Sequence, residues 1–147
     1  MAMIEIDGLA KSFGPVAAVR GVTLSVDKGE VLGFLGPNGA GKSTTMKMLT
    51  GFLTPSEGAA RICGHDVQSD PLPAQRLLGY LPEGAPAYGD MTPRGFLAFC
   101  AGVRGLTGEA ARSAIERVVT RTELARVLDQ PIETLSKGFK RRVGLAQ

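Results

Sequence analysis

Cysteine is scarce in this sequence. Cys63 and Cys100 are the only two in 147 residues, and their spacing has no metal-ligand pattern. Both read as buried free thiols, which fits a reducing compartment. No apolar run approaches the roughly 18 residues of a membrane-spanning helix. The N-terminus, MAMIEIDGLAKSFG, carries acids where an export signal has a basic start and an apolar run. The sequence therefore predicts a cytoplasmic chain, with any membrane crossing left to another chain or segment. Tryptophan is absent, tyrosine occurs only as Tyr80 and Tyr88, and His65 is the one histidine. Net charge is only +3, too mild to argue by itself for a nucleic-acid partner. From Ala101 onward nine Lys or Arg face five Asp or Glu. Most alternate along helical faces, as with Arg112 and Glu116 at i,i+4, and read as solvated surface. Internal repeats and low-complexity segments are lacking.

Glycine, in contrast, is abundant, with 20 residues, which implies many turns or places where backbone must come close to something. The rest of the composition, 44% hydrophobic and 21% charged, suits one globular domain with a real core. The alternating MIEID reads as a strand, and a second is expected over Gly21–Val26. The apolar run Val31–Leu35, bounded by glycines, suits a buried central strand. Lys42–Thr50 then reads as a helix closed by Gly51. GAARICG is a further strand candidate, and PLPAQRLLGYLPEG suggests a helical turn followed by a strand near Leu78–Leu81. Beyond Pro82 the pattern turns helical. Thr92 caps a helix with Pro93 in its first position, and Gly105 stops it. A second helix spans about Gly108–Thr120. ELARVL is a third helical piece, broken by Pro131. Ser136 caps a last helix, with Phe139, Val143 and Ala146 on one stripe.

The stretch FLGPNGAGKST, residues 34–44, sits between the apolar run and the first helix. Gly36, Gly41, Lys42 and Ser43 match G-x-x-x-x-G-K-[ST]. Backbone N–H groups must converge on phosphate oxygens there, so side chains at the glycines would block the approach. The following helix aims its first amides at the same anions. Lys42 would reach the outer phosphates, and the Ser43 hydroxyl would ligate Mg²⁺. The loop as a whole, Gly36, Pro37, Asn38, Gly39, Ala40, Gly41, Lys42, Ser43 and Thr44, is thus expected to hold a nucleoside triphosphate. A second stretch, LSKGF, joins a capping hydroxyl at Ser136 to a flexible Gly138 before a basic helix, a combination suited to phosphate oxygen.

Together these stretches resemble the ATP-binding cassette family along the whole chain. GPNGAGKST is similar to its phosphate loop, and LSKGFKRRVGLAQ to its signature motif with the following helix. GYLPE followed by MTPRGFL is most similar to ATPase subunits of multicomponent exporters. The resemblance implies an α/β fold with a P-loop NTPase core: a mixed sheet around a phosphate-loop helix, an antiparallel β portion and a helical subdomain. It divides the chain into a nucleotide-binding core, residues 1–82, and a segment with the signature helix, residues 83–147. It implies ATP and Mg²⁺ as cofactors, Ser43 as the metal ligand, and a second nucleotide-binding subunit closing head to tail. Leu135, Ser136, Lys137 and Gly138 would then face ATP bound in trans, with Ser136 and Gly138 at the γ-phosphate. Transmembrane permease subunits are the implied partners, placing the protein peripherally on the inner face of the cell membrane; no nucleic-acid partner is implied. The segment Glu83–Gly95, with Tyr88 and Met91, is the candidate for touching a membrane subunit.

Three positions depart from the family pattern. Phe13 in KSFG stands where an aromatic, often Tyr, stacks on adenine. Glu83 stands in place of the usual Gln; its carboxylate could approach Mg²⁺ or a water in a catalytic role, yet would repel a γ-phosphate. Phe139 replaces a polar residue at the end of the signature and reads as packing, not as a ligand. The acidic pair and the histidine that follow the signature in the family are not found before Gln147. Asp129 lies upstream and in the wrong order, and His65 reads as a turn or surface residue. The sequence thus predicts a domain cut after the signature, able to bind ATP but not to hydrolyse it alone. A soluble family member acting on nucleic acid or ribosomes, a nucleotide kinase, or a non-catalytic binding fragment are the alternatives.

Overall fold

The computed structural model describes residues 2–84 and 87–147. The chain forms two compact units, one running to Tyr80 and the other from Leu81 to Gln147.

The first unit is built on a long hairpin. Strands β1 (Ala2–Phe13) and β2 (Val16–Asp27) pair antiparallel, with Phe13 opposite Val16 across the Gly14-Pro15 turn. Strand β2 begins earlier than the expected Gly21, because the hairpin ladder carries the chain straight out of the turn. Strand β3 (Glu57–Ile62) pairs with the other edge of β1, and the two-residue β4 (His65–Asp66) with β3, giving the order β2-β1-β3-β4. The described sheet is antiparallel throughout. Helix α1 (Lys42–Leu49) covers one face. Met48 and Leu49 join Ile6, Leu9, Val19, Ala60 and Ile62 in the core, each large side chain contributing about 1.5–3 kcal/mol of burial. Gly51, at φ 77°, turns the chain out of α1. A short helix α2 (Pro71–Arg76) follows. Its capping Asp70 is held by His65 Nδ1 at 2.7 Å, so His65 serves a turn.

Two expected strands do not form. Val31–Leu35 is unpaired chain, with Val31 96% and Leu35 92% exposed. Residues 78–81 are likewise outside any ladder. A strand needs a neighbouring strand to receive its N–H and C=O groups, and no described strand pairs with either segment.

The second unit is helical. Helix α3 (Pro93–Val103) starts at Thr92, whose hydroxyl accepts from the Gly95 amide, and ends near Gly105 at φ 76°. Helix α4 (Gly108–Arg121) packs on it. Arg112 pairs with Glu109, one turn before it, and not with Glu116. ELARVL becomes a single 3-10 turn, Ala125–Val127, and a second one spans Ile132–Thr134. Helix α5 (Lys137–Ala146) closes the unit. Phe96, Leu97, Leu124, Val127, Leu135 and Val143 form its core, with Phe139 and Ala146 packed against it. Neither cysteine is fully buried; both are half-buried thiols. Burial still pushes the Cys100 thiol up despite the nearby Arg104 charge.

Candidate phosphate-binding site

The loop before α1 is shaped by contact with β2. A Cβ on Gly41 would lie 2.4 Å from the Ala18 carbonyl oxygen and 2.8 Å from Val19 Cγ2, and the residue sits at φ 84°. Only glycine meets both conditions. Inside the loop the Ala40 amide donates to the Pro37 carbonyl at 3.2 Å, and the Thr45 amide and hydroxyl both donate to the Gly41 carbonyl, at 2.8 and 3.0 Å. These bonds anchor the loop at the helix start.

What the loop leaves open matters more. No side chain caps α1 and no acid stands in its first turn. The leading amides of a helix have no intrahelical partner, and here the helix dipole adds positive potential without a competing carboxylate. Lys42 Nζ folds over the loop, donating to the carbonyls of Gly36 at 2.5 Å and Pro37 at 2.6 Å. Ser43 is exposed and Thr44 half-buried beside it. Asn38 and Gly39 lie exposed at the turn. The donors fit an anion with several oxygens. Phe13, at the end of β1, is 52% exposed, with Lys11 Nζ 5.3 Å from its ring centre. Val19, which touches Gly41, lies on the same hairpin.

The second stretch lies at the start of α5. Leu135 is buried as an anchor, while Ser136, Lys137 and Gly138 are exposed. Ser136 Oγ accepts from the Phe139 amide at 3.4 Å. The nearest atom to a Cβ built on Gly138 is Ser136 Oγ, at 3.9 Å. Glycine at that helical position costs about 1 kcal/mol relative to alanine, and nothing within the unit demands it.

Glu83 lies far from these residues in sequence. The fold places it with Gly84, Lys137, Lys140 and Arg141 around a cleft of about 420 Å³. Three cations and one carboxylate share that cleft, a grouping invisible to sequence spacing. Lys140 Nζ also donates to the Glu133 carbonyl at 2.8 Å. Ala85 and Pro86, inside the segment expected to face a membrane subunit, lie outside the described residues. Of the residues singled out there, Tyr88 is 56% exposed and meets Phe99 edge-on, while Met91 is half-buried.

Among the described residues no cluster of three or more His, Cys, Asp or Glu is placed to hold a metal. Asp129 is engaged by Arg94 through both oxygens, at 2.8 and 3.0 Å. That hydrogen-bonded pairing holds its carboxyl below the usual range.

The geometry of the glycine loop alone leaves many families open; the sequence match decides among them. The profile of the family described as ABC transporter matches residues 19–147. The chain belongs to the ABC transporter family. It is 40% identical over 144 residues to the probable multidrug ABC transporter ATP-binding protein YbhF of Escherichia coli (strain K12), covering 98% of this chain and 25% of that protein. It is 35% identical over 147 residues to the Nod factor export ATP-binding protein I of Burkholderia orbicola (strain AU 1054), covering all of this chain and 48% of that one. A solved structure of an ATP-binding subunit of an ABC transporter superposes with a TM-score of 0.84 at 30% identity, covering 98% of this chain and 60% of that chain. The chain thus spans about a quarter to a half of the length of these curated relatives. Family membership accounts for nucleotide binding and for the α/β architecture. Among the described residues no helix is long and apolar enough to cross a membrane.

Proposed function

We propose that this chain is the nucleotide-holding part of an ATP-binding subunit of an ABC exporter. The uncapped start of α1 carries the reading, with the Lys42 ammonium folded over the loop carbonyls. In this reading the amides of the loop and of α1 receive the phosphates of ATP, Lys42 leaves its carbonyls for the outer phosphate oxygens, and Phe13 offers a face for the adenine. Ser43 supplies a hydroxyl ligand for Mg²⁺. Held there, Mg²⁺ would neutralise charge on the phosphates. The exposed Ser136 and Gly138 fit a phosphate arriving from a second nucleotide-binding subunit, with Leu135 as their buried anchor and Lys137 beside them. Glu83 is read as a neighbour of that second site, where its negative charge tempers the basic cleft. Permease subunits form the remaining partners, with the protein peripheral on the cytoplasmic side of the membrane. One relative's name, Nod factor export ATP-binding protein I, supports the direction outward.

Calorimetric titration of the chain with ATP and Mg²⁺ tests the reading. Removal of the Lys42 ammonium takes away charge-assisted bonds of about 1.5–3 kcal/mol each, so Lys42→Ala weakens binding by roughly a hundredfold. Stability stays near wild type, because the amine bonds only exposed carbonyls. Equal affinity in wild type and variant overturns the proposal.

A further inference from the structure

Phe139 directly follows the LSKG stretch and packs against the core of its unit, and its ring does more than fill that core. The guanidinium of Arg126 lies 4.8 Å from the ring centre and that of Arg142 lies 5.3 Å from it. Arg126 comes from the 3-10 turn Ala125–Val127, before the signature, and Arg142 from α5, after it. Arg142 is itself fixed by Glu123 Oε2 at 2.7 Å. The ring is therefore tied to two segments on either side of Ser136. Its backbone is tied to Ser136 as well, because the Phe139 amide is the donor to Ser136 Oγ.

A serine hydroxyl has one proton and two acceptor sites. With the Phe139 N–H filling an acceptor site, the proton is left to be donated away from the helix. A phosphate oxygen only accepts, so this is the polarity it needs. We propose that Phe139 is a positioning residue: the Arg126–Phe139–Arg142 stack fixes the amide that sets the Ser136 hydroxyl as a donor to phosphate. The inference rests on the reading of Ser136 as a phosphate contact to nucleotide held by a second subunit. It assigns the arginine pair a structural charge role distinct from the cleft formed by Glu83, Lys137, Lys140 and Arg141.

The test uses the protein that carries this sequence, with ATP turnover and ATP-dependent self-association by sedimentation as readouts. Phe139→Leu keeps apolar volume and loses the π face, so kcat and the association constant fall about tenfold while KM for ATP stays within about twofold. Phe139→Tyr restores both, since it keeps the face. Arg126→Gln leaves the ring in place and removes one stack; it lowers kcat and association about two- to fivefold, with a less than additive effect on top of Phe139→Leu. If Phe139→Leu fails to fold, Arg126→Gln alone decides. A wild-type kcat and association in Arg126→Gln, or a Tyr variant as poor as the Leu variant, overturns the inference. Ser136→Ala separates the two levels. An impaired Ser136→Ala beside an unimpaired Phe139→Leu overturns only the role of Phe139. A Ser136→Ala variant with unchanged turnover and association overturns both the phosphate contact and the positioning built on it.

Discussion

Helices α1 and α5 begin in opposite ways. Helix α1 starts at Gly41 with no side-chain cap and no acid in its first turn. Helix α5 starts at Ser136, whose own hydroxyl receives the Phe139 amide. An uncapped start leaves amides unpaired, a cost tolerated where an anion is to satisfy them. A self-capped start is stable without ligand and presents an oriented hydroxyl in place of bare amides. The first arrangement suits enclosing a polyphosphate, and the second suits touching one from outside.

The two glycines at these starts break the comparison most sharply. Gly41→Ala forces a Cβ into the Ala18 carbonyl at a left-handed φ. Backbone strain alone costs about 1–3 kcal/mol, so thermal unfolding shifts down by several degrees and nucleotide affinity is lost with it. Gly138→Ala meets only Ser136 Oγ at van der Waals distance. A helical alanine there stabilises by up to about 1 kcal/mol, while nucleotide-dependent association falls. A Gly138→Ala variant as unstable as Gly41→Ala would show that the α5 glycine serves its own fold and not a ligand.

Ser136→Ala follows in size. Loss of a helix cap costs about 0.5–2 kcal/mol, read as a lower melting temperature of the chain without nucleotide. Lys42→Ala makes the counterpart, with binding weakened about a hundredfold and melting unchanged. If the Ser136 variant melts like wild type, the 3.4 Å bond from Phe139 carries no energy and α5 is no better capped than α1.

The contrast also explains what was readable in advance. The loop, α1 and the capped starts at Thr92 and Ser136 depend on local chemistry within a few residues, and they stand where the sequence places them. Val31–Leu35 has the composition of a buried strand, but strand formation depends on a partner elsewhere in the chain, and no described segment supplies one. ELARVL has helical spacing, yet Pro131 and the short run leave room only for a 3-10 turn. The Glu83 cleft joins positions more than fifty residues apart, and no periodicity signals it. The Phe139 stack was half visible: Arg142 follows by three on the same helix, the spacing at which helical side chains meet, whereas Arg126 carries no such signal.

Acid gives the smallest effect and extends the comparison to the units themselves. In the first unit Asp66 Oδ1 accepts from the amides of Gln68 and Ser69, both at 2.9 Å, and these bonds hold its carboxyl below the ordinary 3.8. A carboxyl lowered by folding stabilises fully above its unfolded value and loses that contribution as pH falls through the folded one. In the second unit Asp129 is lowered as well, by Arg94, but both partners are exposed, and such pairs are screened by salt. Asp66→Ala therefore costs at most about 1 kcal/mol at pH 7 and flattens the loss of stability below pH 4 at any ionic strength. Asp129→Ala flattens it only in low salt. Denaturant melts at pH 3 and pH 7, with and without added salt, separate the two. An Asp66 effect that vanishes in salt would mean that its turn is held by charge and not by the two amides.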